Sequence, residues 1–560
     1  MWWHDIFNFW QRRKRLEVLD PDEIFLDSGN LPSFDTNQLE GKLEKPISKG
    51  ILTGSFVFFL VAGLLFMGRI GFIQVVEGEE LRTRSNQNKL RYTLVFADRG
   101  VIYDRNNKSL AWNNPSREYI TDPGFAHVLG YIGLPNKIEL ESADFNHQEY
   151  IGKNGVENTF NDILMGQRGI KIEETDASGN TESDHVLQNP EPGKSINLSI
   201  DARIQTKLFS IIQNVARDND FAGGAAAIMD IHTGEVISLI SYPEYDPNIL
   251  AQGKDRTSIN QFINNPDKPF LNRVISGLYT PGSIVKPFVA LAALHENLIS
   301  PNKVIYTDGT LVIPNRYFPD KPTTYRDWKN LGPVDMREAL AMSSNIYFFH
   351  IGGGYNNQPG LGITKINTYS HLFGLGEKTN IELNNESVGV IPNPEWKKKN
   401  YEDGDWRLGD TFLTSIGQYG YLITPIEMLR SVAFIANNGL LIEPTLLAKP
   451  KEPEIVRQSD IDRKHFKVVQ EGMRQVVTNG TGGVLNTPHV KVAAKSGTAE
   501  IDATKNRVNA WITGFFPYDN PRYSFVVVLE SGRYGGSAGG GVVMRQLFDW
   551  MAYETPEYFE

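Results

Sequence analysis

Three short stretches of this 560-residue chain set hydroxyl and amine groups at spacings suited to acyl transfer. In TPGSIVKPFVALAAL, Ser283 precedes Lys286 by one helical turn, with Pro281 and Gly282 as a breaker and an apolar run behind. That pattern predicts a helix start with both side chains on one face. A serine hydroxyl is a weak nucleophile until a base takes its proton, and a lysine serves as that base only when burial or a neighbouring cation lowers its pKa. None of the ten histidines stands in a Ser-His-Asp context and no G-x-S-x-G elbow is present, so a base other than histidine has to be considered. A second S-x-x-K, Ser300 to Lys303, carries Pro301 and Asn302 between its ends and reads as a loop in which the two side chains need not meet. Ser343-Ser344-Asn345 lies between two apolar helical stretches and offers a hydroxyl and an amide on one turn, fit to pass a proton and hold a substrate amide. Ser28-Gly29-Asn30 and Ser178-Gly179-Asn180 match the same pattern, so the tripeptide says little alone. Lys495-Ser496-Gly497-Thr498 ends an apolar strand and is the one K-[ST]-G in the chain. Lys495 supplies a cation there, Ser496 and Thr498 supply hydroxyls for a carboxylate, and Gly497 is expected to let a substrate backbone approach the strand edge.

The elements that must hold these residues are legible from periodicity. DARIQTKLFSIIQNVARD sets Ile204, Leu208, Ile211, Ile212 and Val215 on one helical face, and a larger α/β region is expected to begin there. AAAIMDIHTGEVISLIS reads as a hairpin of two apolar strands turning at Asp230 to Gly234. Far downstream, HVKVAAKSGTAE, NAWITGFFPY and RYSFVVVLESG read as strands, and GVVMRQLFDWMAYE as a closing helix. Strands at both ends around a helical middle, from about 280 to 440, predict one antiparallel sheet covered by helices. Upstream, strand and turn signals recur from RYTLVFADRGVIYDRNNKSLAWN to about Lys194, a β-rich module with a turn at Arg105 to Lys108.

Composition narrows the function classes. Hydrophobic residues at 40% and charged residues at 22% describe a folding chain. A net charge of -10 argues against attraction to a nucleic acid backbone as the main function. With no cysteine, disulfide scaffolds, Cys-ligated metal sites and thiol nucleophiles are excluded. Ile51 to Met67 runs 17 residues without a charge, and the apolar character resumes beyond Arg69 to Val76, which predicts an uncleaved membrane anchor rather than a buried core helix or a signal peptide. Lys42, Lys45 and Lys49 before the span nearly balance Arg82, Arg84, Lys89 and Arg91 after it, so charge leaves the orientation open. In the first sixteen residues Trp3, Ile6, Phe7 and Trp10 share helical spacing ahead of the basic Arg12 to Arg15, which reads either as an interfacial or docking helix or as a disordered tail.

S-x-x-K, S-x-N and K-[ST]-G in that order form the set used by penicillin-binding proteins and serine β-lactamases. With ADRGVIYDRN, YIGKNGVENTFNDILMGQRG, IELNNESVGVIPNPEWK, SIGQYGYLITPIEM and AWITGFFP, the chain resembles a class B penicillin-binding protein over most of residues 50 to 556. YRDWKNLG, from Tyr325 to Gly332, and YIGKNGVE are more similar to the elongation-type penicillin-binding protein 2 than to the division-type enzyme. The resemblance implies an α/β architecture: a cytoplasmic tail over 1–49, one transmembrane helix over 50–76, and a β-rich pedestal over 77–196. It places over 197–556 a transpeptidase domain with a five-stranded antiparallel sheet, helices on both faces and a helical subdomain. It also implies that the catalytic domain faces the cell wall across the cytoplasmic (inner) membrane. Residue by residue, it implies that Ser283 attacks the D-Ala–D-Ala bond of a stem peptide, that Lys286 takes its proton, that Ser343 relays a proton to the departing D-Ala, and that Asn345 binds the donor amide and orients Lys286. Lys495, Ser496 and Thr498 would hold the terminal carboxylate, and the backbone N–H groups of Ser283 and Thr498 would form the oxyanion hole. Expected partners are peptidoglycan stem peptides, β-lactams, a membrane glycosyltransferase of the RodA/FtsW type, and elongation or division scaffold proteins. No nucleic acid and no cofactor are expected.

Departures from the family pattern qualify this. Only about 45 residues separate Arg105 from Tyr150, so the head subdomain that relatives insert there is expected to be reduced. Some relatives bind zinc near the equivalent of YRDWK through Cys and His; without cysteine, and without histidine between His295 and His350, no metal is expected there. Tyr419 replaces a frequent glycine and Asn509 a frequent histidine, and neither is expected to abolish the chemistry. No second catalytic module precedes the transpeptidase region, which argues against a bifunctional enzyme. Glu382-Leu383-Asn384-Asn385 matches the E-x-x-N of a deacylating loop, which keeps a D,D-carboxypeptidase or β-lactamase as the hydrolytic alternative, although a solvated loop glutamate is the expectation. A β-lactam sensor or inactive scaffold is the non-enzymatic alternative.

Overall fold

The computed structural model describes residues 48–142, 145–175, 181–315, 318, 320–448, 452–501, 506–534 and 539–560. The aromatic and basic segment 1–16, the rest of the tail to residue 47, and the tripeptides at Ser28 and Ser178 lie outside the described residues. The chain divides into two compact units, one of residues 1–91 with 174–180 and one of residues 92–173 with 181–560.

In the first unit, α1 (Lys49–Val75) has no buried residue and is long and apolar enough to cross a membrane. Ser48 caps its start by accepting from Ile51 N, and Arg69 pairs with Glu77 at 3.7 Å near its end. The segment read from sequence as the first part of the pedestal is helical over Gly78–Lys89 and groups with α1, in keeping with its lack of any alternating pattern.

The second unit is built on an antiparallel five-stranded sheet: β1 (Gly223–Asp230), β2 (Val236–Tyr242), β3 (Ala493–Glu500), β4 (Arg507–Phe516) and β5 (Tyr523–Arg533), in spatial order β2-β1-β5-β4-β3. The join between chain ends is the β1–β5 ladder, with Ala225 opposite Val528 and Ala227 opposite Val526. Successive side chains of a strand face opposite sides, so the apolar runs of β1 and β5 feed two cores. Ala226, Ile228, Phe525, Val527 and Leu529 belong to one, with Ile204, Leu208 and Ile212 of α2 (Ala202–Asp218). Ala225, Ala227, Met229, Val526 and Val528 belong to the other, which holds the helices α3 (Lys286–His295), α4 (Asn345–Gly353), α5 (Pro425–Ala436) and α6 (Arg463–Thr478). The closing helix α7 (Gly540–Glu554) adds Val543, Leu547 and Met551 to the α2 side. Burial of each such side chain stabilises the fold by about 1.5–3 kcal/mol.

The helical middle also contains two small ladders not foreseen from periodicity, Ile305–Thr307 with Gly332–Val334 and Thr310–Ile313 with Thr323–Arg326. The second forms an arm that leads into Asp327 and Trp328.

Strands Ser116–Tyr119, Ser109–Asn114, Ile102–Tyr103 and Ile196–Asn197 form the sheet of the β-rich region, and the turn at Arg105 to Lys108 is tied by Asp104 Oδ1, which accepts from Asn106 N and Lys108 N. The core is continuous with that of the larger sheet: Ile102, Leu110 and Leu164 share a cluster with Ala225 and Val526. Polar ties reinforce it, since Gly124 N donates to Glu244, Tyr245 Oη to Ala126 O, and Tyr119 N to Asn248 Oδ1. Its centre is a buried ion triad. Glu157 is fully buried and accepts Arg99 Nε at 2.5 Å and Arg117 Nε at 2.7 Å. Removing the shared carboxylate leaves two buried guanidiniums without a counter-charge. Glu157→Gln should therefore lower stability by about 3–5 kcal/mol, read as a drop of several degrees in the thermal unfolding midpoint of the full chain.

Candidate active site

Ser283 lies in a 3₁₀ turn, Gly282–Val285, that runs directly into α3, rather than in the first turn of the α-helix itself. In a 3₁₀ turn residues i and i+3 eclipse, which lines Lys286 up behind Ser283 more closely than α-geometry would. The turn is possible because Gly282 has φ 58°, and it is tied down by Gly282 N donating to Gly417 O at 2.9 Å. A Cβ at Gly417, itself at φ 74°, would meet Gly282 O at 2.3 Å. The Ser283 side chain is half-buried and makes no hydrogen bond among the described residues.

Lys286 is fully buried. Its Nζ donates to Asn345 Oδ1 at 2.7 Å, to Ser343 O at 2.7 Å and to Ser343 Oγ at 3.3 Å. Burial pushes its pKa down to about 7 against an upward pull from Asp327. The amine therefore titrates close to neutral pH, the range a general base works in. Lys495 on β3 is also fully buried, and its Nζ donates to Ser343 Oγ at 2.9 Å and Ser496 O at 2.8 Å. Burial first, and the Lys286 charge second, hold it well below the ordinary lysine range. The Ser343 hydroxyl thus stands between two lysine Nζ groups, its lone pairs engaged and its own hydrogen free to be given away. Ser343 adopts φ 57°, a left-handed conformation that costs a non-glycine residue about 1–2 kcal/mol and is held by the surrounding structure.

Strand β3 alternates as its position demands: Lys495, Gly497 and Ala499 are buried, whereas Ser496 is half-buried and Thr498 and Glu500 are exposed. The register Lys495 to Thr513 and Thr498 to Ala510 fixes which side each takes. Ser496 Oγ bonds Thr481 Oγ1 at 2.6 Å. Beside the exposed face opens a cavity of about 550 Å³ lined by Ser283, Ser343, Asn345, Trp328, Ser496 and Thr498. All three motifs meet there, although they are far apart in the chain.

A Cβ at Gly497 would meet Ile284 Cγ2 at 2.9 Å and Pro281 O at 3.0 Å, so this glycine also makes room for the turn that carries Ser283. Glu382 is not solvated: its carboxylate accepts Thr445 Oγ1 at 2.5 Å and Leu446 N at 2.8 Å. Lys303 turns to Gln358 Oε1 at 2.8 Å, as expected of a loop lysine. Asn509 sits at a register shift of β4 and accepts Ser531 N at 3.0 Å, while Tyr419, at φ 66°, stacks on Tyr401 with ring centroids 6.0 Å apart. Sequence reading missed Asp327, whose carboxylate accepts Ser344 Oγ, Asn345 N and Ile346 N at 2.7, 3.0 and 3.2 Å. It missed Thr481 as well. Both reach the site through tertiary folding, and YRDWK marked the first only by resemblance.

Residues 224–549 match the penicillin binding protein transpeptidase domain, and residues 114–198 the penicillin-binding protein dimerisation domain. A peptidoglycan D,D-transpeptidase MrdA of Haemophilus influenzae is 31% identical over 469 residues, which cover 78% of this chain and 69% of that protein. The structure of Pseudomonas aeruginosa PBP2 in complex with WCK 5153 aligns with a TM-score of 0.71 at 31% identity, covering 84% of this chain and 100% of that one. That of the Helicobacter pylori PBP2 complex with MreC aligns with a TM-score of 0.70 at 25% identity, covering 83% and 99%.

Gly497→Ala should push the Ser283 turn off β3 and slow acylation by a fluorescent penicillin roughly tenfold or more, with the unfolding midpoint little changed. A wild-type acylation rate would show that the turn does not need this contact.

Proposed function

The chain belongs to the penicillin-binding protein transpeptidase family, and on that premise we propose that the groove beside β3 is where it works as a serine-type peptidoglycan D,D-transpeptidase of the penicillin-binding protein 2 kind. It crosslinks stem peptides in cell-wall synthesis with release of D-Ala.

The observation that carries the assignment of roles is the convergence of Lys286, Lys495 and Asn345 on Ser343 beside the unpartnered hydroxyl of Ser283. Ser283 Oγ attacks the carbonyl of the D-Ala–D-Ala peptide bond as neutral Lys286 takes its proton. The charge on the carbonyl oxygen falls to the backbone N–H groups of Ser283 and Thr498. Ser343 donates its hydrogen to the departing D-Ala nitrogen and is resupplied by the lysines that already touch its oxygen. Asn345 holds Lys286 and the donor amide. Lys495, Ser496 and Thr498 form the carboxylate end of the groove, the cation acting through the Ser496 and Ser343 oxygens it touches. Gly497 keeps the nucleophile turn against that strand. An amine of a neighbouring stem peptide then attacks the acyl-enzyme, forming the crosslink and freeing Ser283. No metal or organic cofactor enters these steps. A hydrolytic reading loses support from Glu382, whose two carboxylate oxygens are engaged far along the chain with Thr445 and Leu446.

The one helix long enough to span a membrane, among the described residues, supports a membrane-anchored protein; the family resemblance is what supports a catalytic unit on the cell-wall side of the cytoplasmic membrane and residues 1–49 in the cytoplasm. A scaffold of the MreC kind and a membrane glycosyltransferase of the RodA/FtsW type are the proposed partners, the first supported by the H. pylori complex.

Fluorescent penicillin should give the detergent-solubilised full chain a persistent covalent label that Ser283→Ala abolishes. Rapid release of hydrolysed penicillin would instead make the protein a hydrolase. In cells, a tagged copy should follow the sidewall during growth; confinement to the septum would assign it to division.

A further inference from the structure

Ser343 keeps its left-handed backbone without glycine, so something must hold it. Its own backbone N donates to Leu340 O at 3.2 Å and Ser344 N donates to Ala339 O at 3.0 Å, bonds that close the preceding helix through Ser343. Further restraints lie on either side. On one, Trp328 Nε1 donates to Met342 O at 3.0 Å. On the other, the Asp327 carboxylate accepts Ser344 Oγ, Asn345 N and Ile346 N, all from the first turn of α4. Two adjacent residues of the arm thus grip the residues immediately before and after Ser343. The arm is anchored in turn, because Asp327 N donates to Gly309 O at 3.0 Å and the Thr310–Ile313 and Thr323–Arg326 strands are paired.

We propose that Asp327 and Trp328 form a clasp that positions Ser343 and Asn345 for the reaction. The clasp touches no reacting atom, so both are positioning residues. Ser344 already caps α4 by accepting Tyr347 N at 3.2 Å, so the helix has a cap of its own and the carboxylate is not needed merely to begin it. What the carboxylate adds is direction and charge. With the chain gripped on both sides, Ser343 O and Asn345 Oδ1 both converge on Lys286 Nζ at 2.7 Å. The charged groups facing that amine are Lys495 from β3, which opposes its protonation, and Asp327 from the arm, which favours it. Burial lowers the Lys286 pKa and the Asp327 charge limits the fall.

The inference rests on the transpeptidase reading, and wild-type labelling at Ser283 tests that reading separately. Acylation of the full chain by fluorescent penicillin is measured against pH for wild type, Asp327→Asn, Asp327→Glu and Trp328→Phe. Wild type should gain rate as pH rises through about 7, as Lys286 loses its proton. Asp327→Asn should be roughly tenfold slower or more at its plateau, and its rise should move about one pH unit lower because the amine has lost its counter-charge. Asp327→Glu, which keeps the charge, should return the rise to the wild-type pH. Trp328→Phe keeps an aromatic side chain, smaller than the indole, and removes the bond to Met342 O, so it should slow acylation severalfold with the rise in place. A wild-type plateau rate in Asp327→Asn overturns the inference, as does a wild-type rate in Trp328→Phe. Should Asp327→Asn fail to fold, as judged by its unfolding midpoint, the rate of Trp328→Phe decides it.

Discussion

Two fully buried lysine amines share one hydroxyl, and the rest of the catalytic region is arranged around that constraint. Lys286 and Lys495 both donate to Ser343 Oγ, and no carboxylate among the described residues bridges them. Two like charges this close in a low-dielectric interior repel strongly, and each resists charging on account of the other and of burial. The relief available is the loss of a proton, which is the state a general base must reach. The same packing that makes the lysines poor cations brings Lys286 into the range the proposed base role needs and leaves the serine hydrogen available.

Bringing that trio together takes three segments with no sequence proximity. The 3₁₀ turn before α3 brings Ser283 and Lys286, the left-handed residue before α4 brings Ser343 and Asn345, and the edge strand β3 brings Lys495. Each meeting depends on a backbone without side-chain bulk or with an imposed conformation. Gly282 and Gly497 let the turn lie on the strand, Gly417 receives the turn from the other side, and the Asp327 arm holds Ser343. Placing β3 at the edge of the sheet leaves one side of its backbone open to the groove, where an extended peptide can lie along it as an added strand does.

The β-rich region carries none of these groups, yet it is continuous with their scaffold. Its Arg99–Glu157–Arg117 triad sits in the same unit as the catalytic sheet, and its apolar residues enter the same cluster as those of β1 and β5. The region that reads from sequence as a pedestal thus shares one core with the catalytic sheet. The helix Gly78–Lys89, by contrast, belongs with α1, because a polar segment without alternating apolar positions has no face to bury in a sheet.

Sequence alone determined whatever depends on near neighbours. The spacing of Ser283 and Lys286 set them on one face because a helical turn is local. The apolar faces of α2 and the five strands followed from period, and α1 from an uncharged run of bilayer length. The resemblance then ordered the motifs into roles. Tertiary structure decided which distant groups touch. It put Lys495 against Ser343 because pairing with β4 fixed the register, and a one-residue slip would have turned Lys495 outward and Thr498 inward. It made Gly497 a seat for the nucleophile turn, gave Glu382 to Thr445 and Leu446, and brought Asp327 to the start of α4. Such contacts have no characteristic spacing, since loop closure restricts only weakly how far apart in the chain two touching residues can be.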